Sequence, residues 1–214
     1  GIADDTAAIQ TALNSKKHLH GVSPDYNFRV TNTIRLQSNQ YIDLRGAKIT
    51  QSTDQKIIFN ADGLDNVRIV NGHFIGKTEA TFTNTPSSLA MAIRANGATD
   101  VVVDGNIFEN FHYAALGSMT IAARRISFTN NRVKGPGASV LGVDVNRRNC
   151  MGAVLLGENI LFSNNEVYDT SSGVIIGEST KNAIVANNLL HDLINEHGVY
   201  VDSGVVNVAL IGNT

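Results

Sequence analysis

Short segments that alternate apolar and polar residues recur along the chain, and each is followed by the same kind of polar turn. The turn is two residues drawn from Asn and Gly, and it precedes one further short apolar stretch. Alternation with a period of two is typical of a β-strand rather than a helix. The copies begin at Val67, Val101, Ile126, Ile160, Ala183 and Val208.

The spacing of these copies predicts the architecture. Successive copies start 34, 25, 34, 23 and 25 residues apart. A repeat of about 23–25 residues fits one coil of three short strands with tight turns, which is the unit of a parallel β-helix. The two longer intervals are the same coil with an insertion. The sequence therefore predicts an all-β solenoid.

The turn residues suggest how one strand bends into the next. We expect a left-handed residue at this place in every coil, because Gly and Asn most readily accept positive φ. Stacked Asn side chains are also expected to hydrogen-bond along the ladder. The residues aligned at this position are Gly72, Asn106, Asn131, Asn165, Asn188 and Asn213.

The start of the chain differs from the repeats. Residues 4–15 are rich in Ala, begin with two Asp residues that can cap a helix, and place Ile9, Ala12 and Leu13 on one face. Because the end of a solenoid needs a cap, we expect this helix to cover it. Strands at 29–36 and 40–47 would open the coils, so residues 1–214 form one domain. Because Thr214 lies inside a coil, we expect the domain to be C-terminally truncated.

The same region carries a resemblance. The run Asp4–Leu13, the pattern Tyr26-x-Phe28-x-Val30 and the segment 44–47 (Leu-Arg-Gly-Ala) resemble the opening of right-handed β-helix proteins of the pectate-lyase type. The Gly-containing segment before the Asp pair is reduced to residues 1–3, and the usual Pro-x-Gly is replaced at 23–25. The Asp-Pro-His-Glu signature of alginate epimerases is missing.

The resemblance implies a right-handed coil and a carbohydrate substrate. The superfamily includes polysaccharide lyases, glycoside hydrolases, sugar epimerases and many bacteriophage tailspikes. Its tailspike members imply an extracellular or virion-surface location, and a homotrimer for the full-length protein. Fold alone does not establish function.

Composition excludes several function classes. Of the 214 residues 43% are hydrophobic and 17% are charged, and the net charge is −2. This gives no electrostatic case for nucleic acid or an anionic membrane, and no apolar stretch is long enough for membrane insertion. The single Cys150 excludes an internal disulfide and is expected to pack as a small hydrophobe. No phosphate-binding loop or zinc-ligand spacing is present, so no cofactor or metal is expected.

The insertions point to a binding edge. They span 76–89, 135–150 and 192–197, always after the third strand of a coil, and insertions on one face of a solenoid often form the binding face. The coil alignment stacks two columns of residues along this edge. The first column is Ile75, Glu109, Lys134, Tyr168 and His191, and the second is Gly76, Asn110, Gly135, Asp169 and Asp192.

Candidate catalytic residues follow from these columns. Asp169 and Asp192 would lie one coil apart, or about 4.8 Å, which suits the paired acids of glycoside hydrolysis. Their mutual repulsion would raise one of the two pKa values. Glu109 belongs to the same acidic groove, and His197 is either a general base or a satisfied rim histidine. The alternative for both Asp residues is a turn role, with side chains bonded to local backbone.

Candidate substrate-binding residues surround this centre. Ring-bearing side chains suit the apolar face of a sugar, and an Arg pair suits the carboxylate of a uronic or sialic acid, unless it is only a solvated loop. The candidates are Tyr168, His191, His112, Tyr113, Arg147, Arg148 and Glu196. The leading hypothesis is a polysaccharide depolymerase of the tailspike type, acting by hydrolysis or β-elimination. The alternative is a non-catalytic glycan-binding or adhesion solenoid.

Overall fold

Three parallel β-sheets run along the molecule, and each successive coil of the chain adds one strand to each of them. In this computed structural model the described residues are 3–15, 17–21, 23–53, 55–77, 89–136, 150–194 and 197–214. The architecture is the predicted right-handed parallel β-helix, and within these ranges it has one short helix, α1 (Thr6–Ser15), at its N-terminal end.

The strands divide evenly among the sheets. Sheet 1 contains β1 (His18–His20), β4 (Tyr41–Asp43), β7 (Asp65–Val70), β10 (Thr99–Asp104), β13 (Arg124–Thr129), β16 (Glu158–Ser163), β19 (Lys181–Ala186) and β22 (Val206–Ile211). Sheet 2 contains β2 (Asn27–Val30), β5 (Lys48–Gln51), β8 (His73–Ile75), β11 (Ile107–Glu109), β14 (Arg132–Lys134), β17 (Glu166–Tyr168) and β20 (Leu189–His191). Sheet 3 contains β3 (Ile34–Arg35), β6 (Phe59–Asn60), β9 (Met91–Arg94), β12 (Ala114–Ser118), β15 (Met151–Leu155), β18 (Ser172–Ile176) and β21 (Val199–Val201).

The register of sheet 1 confirms the coils predicted from spacing. Val101 pairs with Val67 on one side and with Ile126 on the other. Ala183 pairs with Ile160 and Val208. The 34-residue intervals are therefore complete coils with longer connections, and every long connection joins sheet 2 to sheet 3.

The first coil begins earlier than the sequence indicates. Strand β1 already pairs with β4, so the coils start at His18 rather than near residue 29. The segment 29–36 is not one strand, because it turns a corner between β2 in sheet 2 and β3 in sheet 3. Strands this short carry too few alternating positions for periodicity to separate them from the corners.

The left-handed corner residue lies one position earlier than predicted. At the corner between sheets 1 and 2 the residues with positive φ are Asn71, Gly105, Asn130, Asn164, Asn187 and Gly212. The prediction that the second residue of each pair adopts this conformation is therefore wrong. The left-handed first residue is exposed in most coils, whereas the second is buried.

The buried second residues form the predicted asparagine ladder. The Asn165 Oδ1 accepts hydrogen bonds from the backbone N–H of Asn131 at 2.9 Å and from its Nδ2 at 3.2 Å. The Asn165 Nδ2 donates to the carbonyl of Phe128 and to Asn188 Oδ1, both at 3.0 Å. The same pattern links Asn106 to Asn131 and Asn188 to Asn213.

The ladder stops at Gly72 for a steric reason. A Cβ atom on Gly72 would lie 2.5 Å from Leu44 Cδ1 and 2.7 Å from a ring carbon of Phe74. Its backbone N–H still donates to Asn106 Oδ1 at 2.8 Å. Beside the ladder, Phe74, Phe108, Phe128 and Phe162 stack through the core at centroid separations of 5.1–5.6 Å.

Helix α1 closes the N-terminal end of the coils by bonding to strand backbone. The Gln10 Nε2 donates to the carbonyl of Arg35 at 2.9 Å, and Gln10 Oε1 accepts the N–H of Arg35 at 2.8 Å. The N–H of Asp5 donates to the carbonyl of Arg29, whose own N–H donates to the Asp5 carboxylate. The predicted cap is confirmed.

The first turn of α1 is held by Asp4. Its carboxylate accepts the backbone N–H of Thr6 at 3.1 Å and the hydroxyl of Thr31. The Thr31 hydroxyl, helped by Thr6, lowers the pKa of Asp4 to about 2. At ten residues, α1 is too short to cross a bilayer.

Replacing Asn165 by Ala should destabilise the solenoid by on the order of 3 kcal/mol, because the change leaves several buried donors and acceptors of neighbouring coils without partners. Asn164→Gly is the matched control, since Asn164 is exposed with φ of 55° and Gly accepts that conformation. Urea unfolding followed by circular dichroism measures both. Equal losses in the two variants would contradict a structural role for the ladder.

Candidate functional site

The outer surface of sheet 2 presents two columns of side chains to solvent. Its inner strands β8, β11, β14 and β17 have three residues, of which the middle one is buried and the two flanking ones point outward. The first outer column is His73, Ile107, Arg132, Glu166 and Leu189, and the second is Ile75, Glu109, Lys134, Tyr168 and His191. The second column is the one that the coil alignment predicts.

Two rings of the second column stack in parallel. The rings of Tyr168 and His191 have centroids 5.2 Å apart and planes inclined by 2°. The guanidinium of Arg132 lies 5.1 Å from the Tyr168 centroid, within range of a cation–π interaction. We call Arg132, Tyr168 and His191 the ring stack. Arg132 and His191 thus cover the two sides of the Tyr168 ring, and all three side chains are partly exposed.

Two carboxylates hold the imidazole of this stack. The His191 Nδ1 lies 2.8 Å from Asp192 Oδ2, and its Nε2 lies 3.5 Å from Glu166 Oε1. Glu166 also pairs with Arg132, at 2.8 Å between Nε and Oε2. The hydrogen bond of His191 to Asp192, followed by that to Glu166, raises the pKa of His191 above 6.5. The two carboxylates therefore stabilise the protonated imidazole.

The two candidate acids lie at the corner between sheets 2 and 3. Asp169 and Asp192 directly follow paired residues of adjacent strands, so their backbones are one coil apart. Both are left-handed, with φ of 56° and 51°, a conformation that Asp tolerates well in turns. Asp192 is engaged by His191, and in the described part of the chain no ion pair joins Asp169 to another residue. Their catalytic role stays a proposal.

Glu109 lies two strands from Tyr168 and three strands from His191. These separations amount to about 10 and 14 Å along the axis. Its partner is His73, at 3.3 Å between Nε2 and Oε2, and both side chains are partly buried. Sequence reasoning missed His73, although its place directly after the turn Gly72 marks it as an outward residue. Glu109 and His73 form a separate polar pair.

His112 and Tyr113 lie past the corner, towards sheet 3. His112 is 4% exposed, and Tyr113 packs against Ala114, Met151 and Val154 on the outside of sheet 3. Burial raises the pKa of Tyr113. Neither belongs to the ring stack, so their substrate-binding role stays a prediction without support from the stack.

Cys150 packs as a buried residue near this corner. Its thiol donates to the carbonyl of Phe111 at 3.0 Å, and burial raises its pKa to about 12. A thiol in this state is a poor nucleophile at neutral pH.

The remaining candidates lie at the last connection or outside the described residues. His197 is exposed and stacks on Tyr200, with centroids 5.4 Å apart. Arg147, Arg148 and Glu196 fall outside the described ranges, so their predicted roles stay predictions. Within the described ranges, no three His, Cys, Asp or Glu side chains come together as metal ligands.

Comparison with known proteins identifies the fold. No model of a protein family matches the sequence, and no curated protein matches it. Among solved structures, the surface adhesin PfbA of Streptococcus pneumoniae covers the whole chain with a TM-score of 0.77 and 13% identity. The endo-xylogalacturonan hydrolase of Aspergillus tubingensis covers 96% of it with a TM-score of 0.71 and 14% identity.

A third similar structure is a tailspike protein of the E. coli bacteriophage HK620, solved in complex with a pentasaccharide. It covers 99% of this chain with a TM-score of 0.63 and 11% identity. This chain spans 59% of the adhesin, 69% of the hydrolase and 46% of the tailspike. The likeness shows the fold of pectate-lyase-like parallel β-helix proteins, and at these identities it shows no more than the fold.

Titration of His191 by NMR should give a pKa above 6.5, and Asp192→Asn should return it towards that value. Because the folded-state pKa is raised, the contribution of this contact to stability is complete below pH 6.5 and disappears as the pH rises through the raised value. Asp25→Asn, at an exposed carboxylate near β2, is the control. An unchanged His191 pKa in the Asp192 variant would exclude the contact as its cause.

Proposed function

We propose that this protein binds a polysaccharide along the outer face of sheet 2, with the ring stack as its principal contact. The observation that carries this proposal is the parallel stacking of Tyr168 and His191 on an exposed face, between Arg132 and Asp192. Because Arg132 and His191 lie on the two sides of Tyr168, the stack presents its ring edges to a sugar, and the neighbouring charged groups are suited to hydrogen-bond the sugar hydroxyls.

The geometry of the solenoid supports a polymer rather than a small ligand. The outer columns of sheet 2 repeat every 4.8 Å or so along a straight axis, and a linear glycan also presents a repeating surface. The three insertions all leave the same edge of this face, at 76–89, 135–150 and 192–197, which is where solenoids commonly recognise ligands.

The structural neighbours agree with a carbohydrate role. One was solved with a pentasaccharide and another is named as a xylogalacturonan hydrolase, while the adhesin favours surface attachment. By analogy with the adhesin and the tailspike, we place the protein on a cell or virion surface. Homotrimeric assembly of the full-length protein, expected from the tailspike resemblance, stays a prediction.

Cleavage of the bound glycan is a second proposal, and one specific observation favours it. Asp169 and Asp192 occupy equivalent positions on adjacent coils beside the ring stack. In glycoside hydrolysis one carboxylic acid protonates the leaving oxygen, while the other carboxylate activates water or attacks the sugar. For β-elimination, a neutral His191 or an ionised Tyr168 would instead remove the proton beside a uronate carboxylate. Without either reaction, the protein is a glycan-binding or adhesion solenoid.

Tyr168→Ala should weaken polysaccharide binding by up to about tenfold, because an aromatic contact contributes ~0.5–1.5 kcal/mol. Calorimetry against a panel of capsular polysaccharides, lipopolysaccharides and pectins measures the change on whichever members bind the unaltered protein. Tyr41→Ala removes an outward ring from sheet 1 and serves as the control. Equal binding by the two variants, or no binding of any panel member, would refute the proposal.

Asp169→Asn and Asp192→Asn should each reduce depolymerisation by at least about a hundredfold if these side chains act as acid and base. Thermal stability of the Asp169 variant should stay close to that of the unaltered protein, since Asn also accepts the left-handed conformation. The Asp192 variant also loses the charge that faces His191, so its binding is measured separately from its cleavage. Reducing-end release measures hydrolysis, and the ultraviolet absorbance of an unsaturated uronate measures elimination. Undiminished cleavage in both variants would assign the two residues to turn formation only.

A further inference from the structure

A polar slot lies at the same edge of the solenoid, nearer its N-terminal end. It is formed where β5 and β8 end and where the chain leaves β11, and its volume of about 10 Å³ is close to that of one water molecule. An open depression of about 360 Å³ adjoins it and shares Gln51, Gly76, Lys77 and Asn110 with its wall. The slot therefore opens to solvent through the depression.

The slot holds an unsatisfied donor. The side chain of Gln51 is 2% exposed, its Oε1 accepts the N–H of Thr53 at 3.0 Å, and its Nε2 has no hydrogen-bond partner. A buried donor left in this state costs about 1–3 kcal/mol. An oxygen atom in the slot would remove that cost.

The charges around the slot favour a negatively charged oxygen over a water molecule. Lys56 and Lys77 both line it, both are exposed, and neither pairs with a carboxylate of the described residues. The described lining includes no Asp or Glu. By contrast, Arg94 and Arg132 are each paired with a carboxylate. Two ammonium groups that pair with none of the described carboxylates, beside an amide N–H without a partner, provide the donors that an oxyanion needs.

The slot and the ring stack lie along the same edge of the solenoid. Asn110 and Asp169 occupy the same corner position two coils apart, which is about 10 Å along the axis. At the ring-stack end Glu166 and Asp192 are paired with Arg132 and His191, whereas the slot end carries Lys56 and Lys77. An anionic substituent of a bound chain would be attracted to the slot end, which would fix the direction in which the chain lies.

We infer that Gln51, Lys56 and Lys77 bind an oxyanion, the carboxylate group of an acidic glycan. The inference rests on the proposed function only in naming a glycan as the source of the anion. In this arrangement the Gln51 Nε2 donates to one oxygen of the group in the slot, while the two lysines neutralise its charge at the rim. This oxyanion site implies that the bound polysaccharide is acidic.

The test is titration of the protein with sodium glucuronate, following the side-chain amide signal of Gln51 by NMR. Glucuronate should shift this signal and neutral methyl glucoside should not. The double substitution Lys56→Gln with Lys77→Gln should weaken binding about tenfold, and added salt should weaken it further in the unaltered protein. Lys181→Gln, on sheet 1, is the matched control and should have no effect.

Several outcomes would overturn the inference. Shifts with both sugars would show that the slot accepts a hydroxyl, and no shift with either would show that water alone occupies it. A shift with inorganic sulfate but not with glucuronate would exclude a glycan carboxylate as the source. Gln51→Met should abolish glucuronate binding at nearly constant side-chain volume, followed through the backbone amide signals of Gly76 and Lys77 because this variant lacks the Gln51 amide. If that variant does not fold, the lysine variants decide the question.

The monosaccharide test is independent of the ring stack. Tyr168→Ala should leave the glucuronate response intact while weakening polysaccharide binding. If the slot responds but no polysaccharide binds, the proposed function fails and the anion site stands. If a polysaccharide and its carboxyl-reduced form bind equally well and the Gln51 signal does not move, the anion site fails and the proposed function stands.

Discussion

The buried amides at the corner between sheets 1 and 2 are the constraint on which the rest of the structure depends. A chain that turns sharply inside a solenoid leaves backbone N–H and C=O groups without ladder partners, and water does not reach them. The ladder asparagines supply these partners. The Asn165 Oδ1, for example, accepts from Asn131 in one neighbouring coil, and the Asn165 Nδ2 donates to Asn188 in the other. The amides thereby fix the vertical alignment of the coils. Because alignment decides which outward residues are neighbours, it also creates the ring stack.

The sequence was sufficient for the coils but not for the exact conformation of their corners. Spacing and alternation predict every coil start from Val67 onward, because inward apolar residues must recur once per coil. They do not distinguish the left-handed Asn164 from the buried Asn165, since both are asparagines and both conformations favour that residue. Only the direction of each side chain separates the two roles. The short strand β1 was missed for the related reason that three residues carry almost no periodicity.

The sequence predicts which residues of the site share a column, but it does not predict which of their side chains are in contact. Alignment places Tyr168 above His191 and Asp169 above Asp192, which the register reproduces. Which carboxylate meets which ring depends on rotamers, and these bring Asp192 and Glu166 to His191. The same freedom brings His73 to Glu109 instead of leaving Glu109 beside the ring stack. Lys56 and Lys77 escaped sequence reasoning because the burial of the Gln51 amide in the slot that they line gives no sequence signal.

Helix α1 affects whether copies of this protein can associate end to end. The terminal coil of a parallel solenoid exposes unpaired strand edges, to which another chain could add and so extend the stack without limit. The side-chain amide of Gln10 occupies the N–H and C=O of Arg35 as an additional strand would, and Asp5 does the same for Arg29. At this end a second copy therefore finds these edge groups already bonded. The helix therefore prevents the addition of further strands at this end, and it also covers the hydrophobic core.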